Sequence, residues 1–237
     1  MMETIQLGEI SVSHTRKSVK HVYLSVHPPN GRVTLVTPYK TRSEVARAYV
    51  ISKLDWIRDQ QEKMRAQARE TPRQFIERES HYLWGNRYLL TIHEENIKPS
   101  IRLGHSTIEL TVRPDCTQDK RRDLIYEWQK SLIKDAAREL ITLWEPRLGV
   151  EVTNFYLQRM KTKWGSCNHS CGTIRLNTEL VKKPKNLLEY VVVHEMLHLL
   201  EPVHNQSFIE LMDTHYPSWS NARSELNELP LASASWT

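Results

Sequence analysis

The sequence contains little cysteine and little glycine, and each shortage excludes a class of protein. Three cysteines among 237 residues cannot all pair with one another, so a fold held together by disulfides is not expected. Glycine is limited to seven residues and charged residues make up 26% of the chain, so we do not expect a disordered polymer. A glycine-rich phosphate-binding loop is also missing, so any bound phosphate must be held mainly by side chains.

Long apolar runs are missing as well. No stretch approaches the roughly 20 apolar residues that a membrane-spanning helix needs, and the start, MMETIQLGEI, lacks the features of a secretory signal. We therefore expect a cytoplasmic protein in a reducing compartment, with no membrane partner. The net charge of +5 is spread along the chain. It suits an anionic partner such as a nucleotide or a nucleic acid, although a solvated basic surface explains it more simply.

The apolar patterns predict an α+β fold with a β-rich N-terminal part packed on a helical C-terminal part that contains a small sheet. The alternating segments 22–26 and 33–37 flank Asn30-Gly31 and predict a hairpin. Ser43 is expected to cap one long helix that reaches about residue 69. Further strands are expected over 82–92 and 101–113, each broken by a turn, and over 154–159 and 172–177; further helices are expected over 118–143, 184–201 and 205–215.

These elements suggest three regions and no internal repeat. The β-rich region covers residues 1–115, the region that carries the chemistry covers 116–228, and a loose tail covers 229–237. Oligomeric state cannot be read from these patterns.

The predicted helix over 184–201 carries the pattern His194-Glu195-Met196-Leu197-His198. Residues four apart lie on one face of a helix, so both imidazoles can bind one metal ion. Glu195 can then act as general base toward the metal-bound water. The alternative is a pair of hydrogen-bonded core histidines. Burying two imidazoles and a carboxyl without partners would cost several kcal/mol, about 2–7 for each uncompensated polar group, and this favours the metal.

A catalytic zinc site needs a third protein ligand and an open position for water. His204 is our choice, because Pro202 breaks the helix and lets the chain turn back toward the metal. Glu201 is the alternative ligand, since carboxylates also serve in such sites. We expect Zn²⁺ as the cofactor, with another divalent metal as a possibility.

The segment before this helix is basic and supplies candidate substrate-binding residues. Strand alternation places Arg159, Lys161 and Lys163 on one face if the strand continues that far. Ser166 in the following turn and Arg175 complete the predicted set for an anionic substrate. A solvated basic face explains these residues equally well. The nearby C-x-H-x-C pattern around His169 differs from the usual zinc-binding pairs, so a second metal site is not expected.

Several blocks occur in order along nearly the whole chain: PPNGRVTLVTP, KLDWI, YLWGNRY, RMKTKWGSC, GTIRLN, VVVHEMLH, VHNQSF and HYPSW. In these blocks the sequence resembles the YgjP-like family of bacterial zincin-type proteins, which are related to SprT-like and WLM-type metallopeptidases. The resemblance implies a zincin-like C-terminal region, zinc ligands at His194, His198 and His204, and Glu195 as base. Family members are commonly labelled metallopeptidases, and some have been described as metal-dependent pyrophosphatases that act on nucleoside triphosphates, UTP in particular.

Three functions are therefore open. The first is a nucleoside triphosphate pyrophosphatase that converts UTP to UMP and pyrophosphate, with basic side chains on the phosphates. The second is a zinc metallopeptidase, including a variant that acts on DNA-bound proteins. The third is a binding protein with a structural metal, which fits less well because three protein ligands leave an open position.

Overall fold

The computed structural model describes residues 2–27, 31–66, 72–160 and 163–229 of the chain. The fold is α+β with a sheet-rich N-terminal part, as predicted. Two structural units divide between residues 70 and 71, whereas the sequence patterns set the end of the β-rich region at 115. The second sheet belongs to the C-terminal unit because its buried residues Leu90 and Ile108 share a core with Ile125 of the long helix that follows.

The N-terminal unit is a four-stranded sheet with two helices. Its core consists of Val12, Val33 and Leu35 of the sheet with Val50 and Ile57 of the helices, all at most 1% exposed. The inner strands are parallel and the outer pairs antiparallel, in the order β1-β2-β4-β3. The elements are β1 (Met2–Leu7), β2 (Ile10–Lys17), β3 (Tyr23–His27), β4 (Arg32–Pro38), α1 (Ser43–Ser52) and α2 (Leu54–Ala66).

Two predictions for this unit need comment. The hairpin is confirmed as β3 and β4, although residues 28–30 of its turn lie outside the described residues. The single helix from Ser43 to residue 69 is wrong: Lys53 leaves helical geometry and separates α1 from α2. Ser43 is not the cap either, because its hydroxyl accepts a hydrogen bond from Arg16 at 2.7 Å and Arg42 occupies the cap position.

The C-terminal unit begins with a sheet that repeats this connectivity. The order is β5-β6-β8-β7, again with a parallel inner pair and antiparallel outer pairs. The repeat is structural and escaped the sequence analysis. The strands are β5 (Ser80–Leu83), β6 (Asn86–Glu94), β7 (Ser100–Leu103) and β8 (Thr107–Val112), so both predicted strand pairs are confirmed.

Helix α3 (Gln118–Leu148) links this sheet to the rest of the unit. The Thr117 side chain accepts a hydrogen bond from the backbone N–H of Lys120 and caps its start. The helix runs past the predicted end at residue 143 because Pro146 fits within its last turn. Gly149, with φ of 65°, ends the helix in the left-handed conformation that glycine tolerates best.

The remaining elements surround a buried central helix, α4. Its residues Leu187, Val192, Val193, Met196 and Leu197 are fully buried, because apolar residues occupy nearly all sides of this helix. A three-stranded sheet in the order β10-β11-β9 lies nearby. The elements are β9 (Asn154–Gln158), β10 (Gly165–Asn168), β11 (Thr173–Asn177), a 3-10 helix (Thr178–Lys182), α4 (Lys185–Leu197), α5 (Gln206–His215) and α6 (Trp219–Glu228).

Two of these elements were not predicted. Ser166, expected in a turn, belongs instead to strand β10, and α6 was missed altogether. Of the predicted loose tail, residues 230–237 lie outside the described part of the chain. No helix within the described residues combines the length and the apolar character needed to cross a membrane.

Candidate metal centre and its cavity

The C-terminal end of α4 and the turn after it assemble the candidate metal centre. His194 lies in the last turn of α4, and His198 occupies the C-cap position. The chain then turns through residues 199–204 and brings His204 back toward the helix end. Because the flanking apolar residues of α4 are fully buried, the helix backbone that carries these side chains is held firmly by the core.

One nitrogen of each of the three imidazoles lies within 4.8 Å of the others. The Nε2 atoms of His194 and His204 are 2.9 Å apart. A tetrahedral zinc ion with Zn–N bonds of about 2.0–2.1 Å requires nitrogens about 3.3 Å apart. The His194–His204 distance is close to that requirement and the other pairs lie within 4.8 Å, so the three-imidazole donor set fits a divalent metal ion such as Zn²⁺ after side-chain adjustments.

The protonation of the imidazoles also suits a metal. Nδ1 of His198 lies 3.0 Å from the carbonyl oxygen of Glu201, and donation through this nitrogen leaves Nε2 free as a ligand atom. Burial, with the neighbouring imidazoles His198 and His204 adding to it, lowers the pKa of His194 to about 3. Burial also lowers the pKa of His198. Neutral imidazoles at neutral pH are the form that binds metal.

Glu201, the alternative third ligand, stabilises the turn after α4 instead. Its carboxylate accepts a hydrogen bond from the backbone N–H of Val203 at 3.2 Å, and its carbonyl oxygen orients His198. Among the residues that the structure describes, only the three histidines form a cluster with metal-binding geometry.

Glu195 lies beside the cluster in an apolar setting. Its side chain belongs to a residue only 6% exposed, and burial raises the pKa of the carboxyl to about 8, while the positive charge of Lys163 acts in the opposite direction. Strand β10 passes so close that a Cβ added at Gly165 would lie 2.5 Å from Oε1 of Glu195. Glycine at position 165 is therefore what allows the carboxyl its present position.

A cavity of about 440 Å³ opens onto this centre. Its wall combines β10 and the residues around it with the end of α4, the following turn and α6. It is lined by Lys163, Trp164, Gly165, Ser166, Cys167, His169, Tyr190, Val191, His194, Glu195, His198, Pro202, His204, Arg223, Leu226 and Asn227. Among these lining residues, Glu195 is the only acid, whereas Lys163 and Arg223 are cations.

The structure brings some of the predicted substrate-binding residues to the cavity and not others. Lys163 and Ser166 line it. Arg159 does not, because β9 ends at Gln158 and the guanidinium pairs with Glu179 at 3.1 Å. Arg175 points away, 5.8 Å from the Tyr156 ring. The alternation argument required one continuous strand through Arg159, but β9 ends at Gln158; Lys161 itself lies outside the described residues.

Several cavity residues escaped the sequence analysis. Tyr190 lies four residues before His194 on the same face of α4, so the helical period could have placed it beside the centre. Arg223 and Asn227 come from α6, whose polar sequence gave no helical signal. His169 was considered only with its flanking cysteines. One of these, Cys167, also lines the cavity, where burial, with the Glu195 charge second, raises the thiol pKa to about 11 and keeps it neutral.

Three converging imidazoles with a buried carboxyl beside them are the active-site groups of a metal-dependent hydrolase. The chain belongs to the YgjP-like family, whose metallopeptidase-domain model matches residues 20–229. This confirms the resemblance found in the sequence and identifies the protein as a metallopeptidase-like, metal-dependent hydrolase.

Two solved structures are similar to part of the chain. The metallopeptidase zymogen of Pyrococcus abyssi abylysin is 18% identical, with a TM-score of 0.36 over 38% of this chain and 90% of that one. The zymogen of Methanocaldococcus jannaschii jannalysin is 24% identical, with a TM-score of 0.33 over 40% of this chain and 92% of that one. None of the curated proteins compared with the chain gives a significant match.

Proposed function

We propose that the protein hydrolyses nucleoside triphosphates with the help of a divalent metal ion, and that UTP is cleaved to UMP and pyrophosphate. The observation that carries this proposal is the charge of the cavity. Lys163 and Arg223 line it, and Glu195 is the only acid among the described lining residues. Such a surface stabilises a phosphate chain, whereas a neutral peptide bond does not require it.

The size of the cavity also supports a small substrate. Its volume of about 440 Å³ lies within the range of about 300–1,000 Å³ typical of small-molecule sites. A nucleotide with its phosphates can therefore occupy the space next to the imidazoles without a change of fold.

His194, His198 and His204 are the residues that would hold the metal ion. When bound, such an ion supplies Lewis acidity that lowers the pKa of water and polarises a phosphoryl oxygen. The water oxygen forms a bond to the α-phosphorus, the bond from the α-phosphorus to the bridging oxygen breaks, and pyrophosphate leaves. Glu195 accepts the proton that the water loses on a carboxylate oxygen. Lys163 favours the carboxylate form required for this step, because a nearby positive charge stabilises the ionised carboxyl.

Peptide hydrolysis is the second candidate, and one observation favours it. Strand β10 is at the edge of its sheet, and Gly165, Ser166 and Cys167 of this strand line the cavity. An extended peptide can add to such an edge through backbone hydrogen bonds. The same imidazoles and the same Glu195 would then serve a peptide carbonyl.

One preparation of the full chain loaded with zinc distinguishes the two functions. Pyrophosphate release is measured separately from UTP, CTP, ATP and GTP, and cleavage of casein is measured alongside. Glu195→Gln serves as the control, since it retains the imidazoles and removes the base. We expect pyrophosphate release, fastest from UTP, that Glu195→Gln abolishes. Casein cleavage without any pyrophosphate release would replace the first proposal with the second.

A further inference from the structure

Tyr190 is a buried residue whose hydroxyl has no hydrogen-bond partner among the residues that the structure describes. The residue is 6% exposed, its ring contacts that of His194 with centroids 5.8 Å apart, and it lines the cavity. Buried phenols usually bind a polar group through their hydroxyl. Within the described residues no hydrogen bond reaches the Tyr190 hydroxyl, which leaves it available to a ligand in the cavity.

Arg223 lines the same cavity from a different helix, α6. Ala222 and Leu226, which flank it on α6, are 5% and 3% exposed and anchor that helix in the core. The guanidinium forms no ion pair with any residue that the structure describes. Its charge nevertheless reaches the centre, since it opposes the rise that burial causes in the pKa of Tyr190.

The two cations of the cavity come from different elements. Lys163 precedes β10, the strand that passes over Glu195, the residue that receives the proton of the attacking water. Arg223 comes from α6 and lines the cavity together with His194 and Tyr190 of α4. In phosphoryl transfer the attacking and leaving oxygens are roughly in line on opposite sides of the phosphorus. The leaving phosphate group is therefore on the side away from the base, and it needs a second donor group there.

We propose that Tyr190 and Arg223 form an anion subsite beside the metal centre that binds the terminal phosphates of the substrate and the pyrophosphate that leaves. The guanidinium supplies two parallel N–H donors to phosphate oxygens, and the phenol supplies one O–H donor. This inference rests on the proposed function, because only a substrate with a phosphate chain would use both groups. The subsite would recognise the phosphates of the nucleotide and not its base or sugar.

The test measures binding of inorganic pyrophosphate to the zinc-loaded protein by calorimetry, and KM and kcat for UTP. Arg223→Met and Tyr190→Phe remove the two donors. Arg138→Met is the matched control, because Arg138 is an exposed arginine of α3 that does not line the cavity. Zinc content is determined for every variant, so that a lost metal is not mistaken for a lost subsite.

We expect Arg223→Met to raise the Kd for pyrophosphate by about tenfold or more, as loss of a charge-assisted hydrogen bond does. Tyr190→Phe should raise it roughly threefold to tenfold, as loss of a neutral hydrogen bond does. Arg223→Lys should recover part of the affinity, which a purely structural arginine would not predict. Arg138→Met should bind pyrophosphate like the unaltered protein.

Unchanged pyrophosphate binding in both Arg223→Met and Tyr190→Phe would overturn the subsite, and so would a zinc-loaded parent protein that binds no pyrophosphate. If these variants also hydrolyse UTP normally, the proposed function stands and only the subsite fails. If the parent protein binds pyrophosphate through Arg223 but does not cleave UTP, the subsite stands and the proposed function fails.

Discussion

Replacing Gly165 with alanine should move the Glu195 carboxyl without removing any group from the metal centre. The added Cβ would lie 2.5 Å from Oε1, 2.6 Å from Cγ and 2.8 Å from Cδ of Glu195. Ordinary contacts of such atoms are about 3.5–4.0 Å, so the carboxyl must retreat by about 1 Å. A misplacement of this size can reduce turnover about 100-fold. Overpacking should also lower the free energy of unfolding by about 1–3 kcal/mol.

The assay compares kcat for UTP, zinc content and urea unfolding of Gly165→Ala with those of Gly104→Ala. Gly104 is a matched control because an added Cβ there would lie 2.6 Å from Oγ1 of Thr107, in the same unit but not in the cavity. We expect Gly165→Ala to keep its zinc and lose most of its turnover, while Gly104→Ala retains turnover. A kcat for Gly165→Ala within about twofold of the parent value would refute the reasoning that links this glycine to the base.

The other predictions concern the ligands, the base and the excluded cations. His204→Ala should release the zinc and abolish turnover, whereas Glu201→Gln should keep both. Zinc analysis after gel filtration distinguishes the two ligands, and retained zinc in His204→Ala would return Glu201 to the ligand set. In the metal-free protein the folded pKa of Glu195, about 8 against 4.5 ordinarily, makes stability fall as pH rises toward 8. From pH 6.5 to 8 the parent protein should lose about 2 kcal/mol of stability relative to Glu195→Gln, because the two proteins share the histidines whose lowered pKa values act in the opposite direction at the start of this range. Urea unfolding should show no such loss in Glu195→Gln, and equal pH slopes in the two proteins would contradict the assignment. Arg159→Met should lower stability by about 1–2 kcal/mol, since Glu179 loses one of the two cations that pair with it within the described residues, and should leave the KM for UTP unchanged. A raised KM would restore Arg159 to the substrate site.

The parts of the centre that depend on local periodicity were predictable. The four-residue spacing of His194 and His198 predicts two imidazoles on one helix face, and the break at Pro202 predicts the return of His204. The structure places these three imidazoles together. The strands that flank clear turns, such as those around Gly85, were predictable for the same reason. In each case one short segment of sequence contains all the residues on which the prediction depends.

The parts that depend on tertiary packing were not predictable. Strand β10 has only four residues and contains a glycine, so it looks like a turn until it pairs with β11. Helix α6 exposes most of its residues and buries chiefly Ala222 and Leu226, which leaves too weak a periodic signal. Arg223 was missed because its helix was missed. Arg159 was assigned to the substrate because its partner Glu179, twenty residues away, is invisible to strand alternation.

The central claim is that three imidazoles hold a metal ion on which hydrolysis depends. Metal analysis of the freshly purified chain, before and after chelation, tests it directly when UTP hydrolysis is measured on the same samples. The account predicts about one zinc or other divalent ion per chain, as in a site with three protein ligands, and loss of hydrolysis with the metal followed by recovery when zinc is returned. A chain that contains no metal, and whose hydrolysis is indifferent to chelators and to replacement of His194, would contradict it.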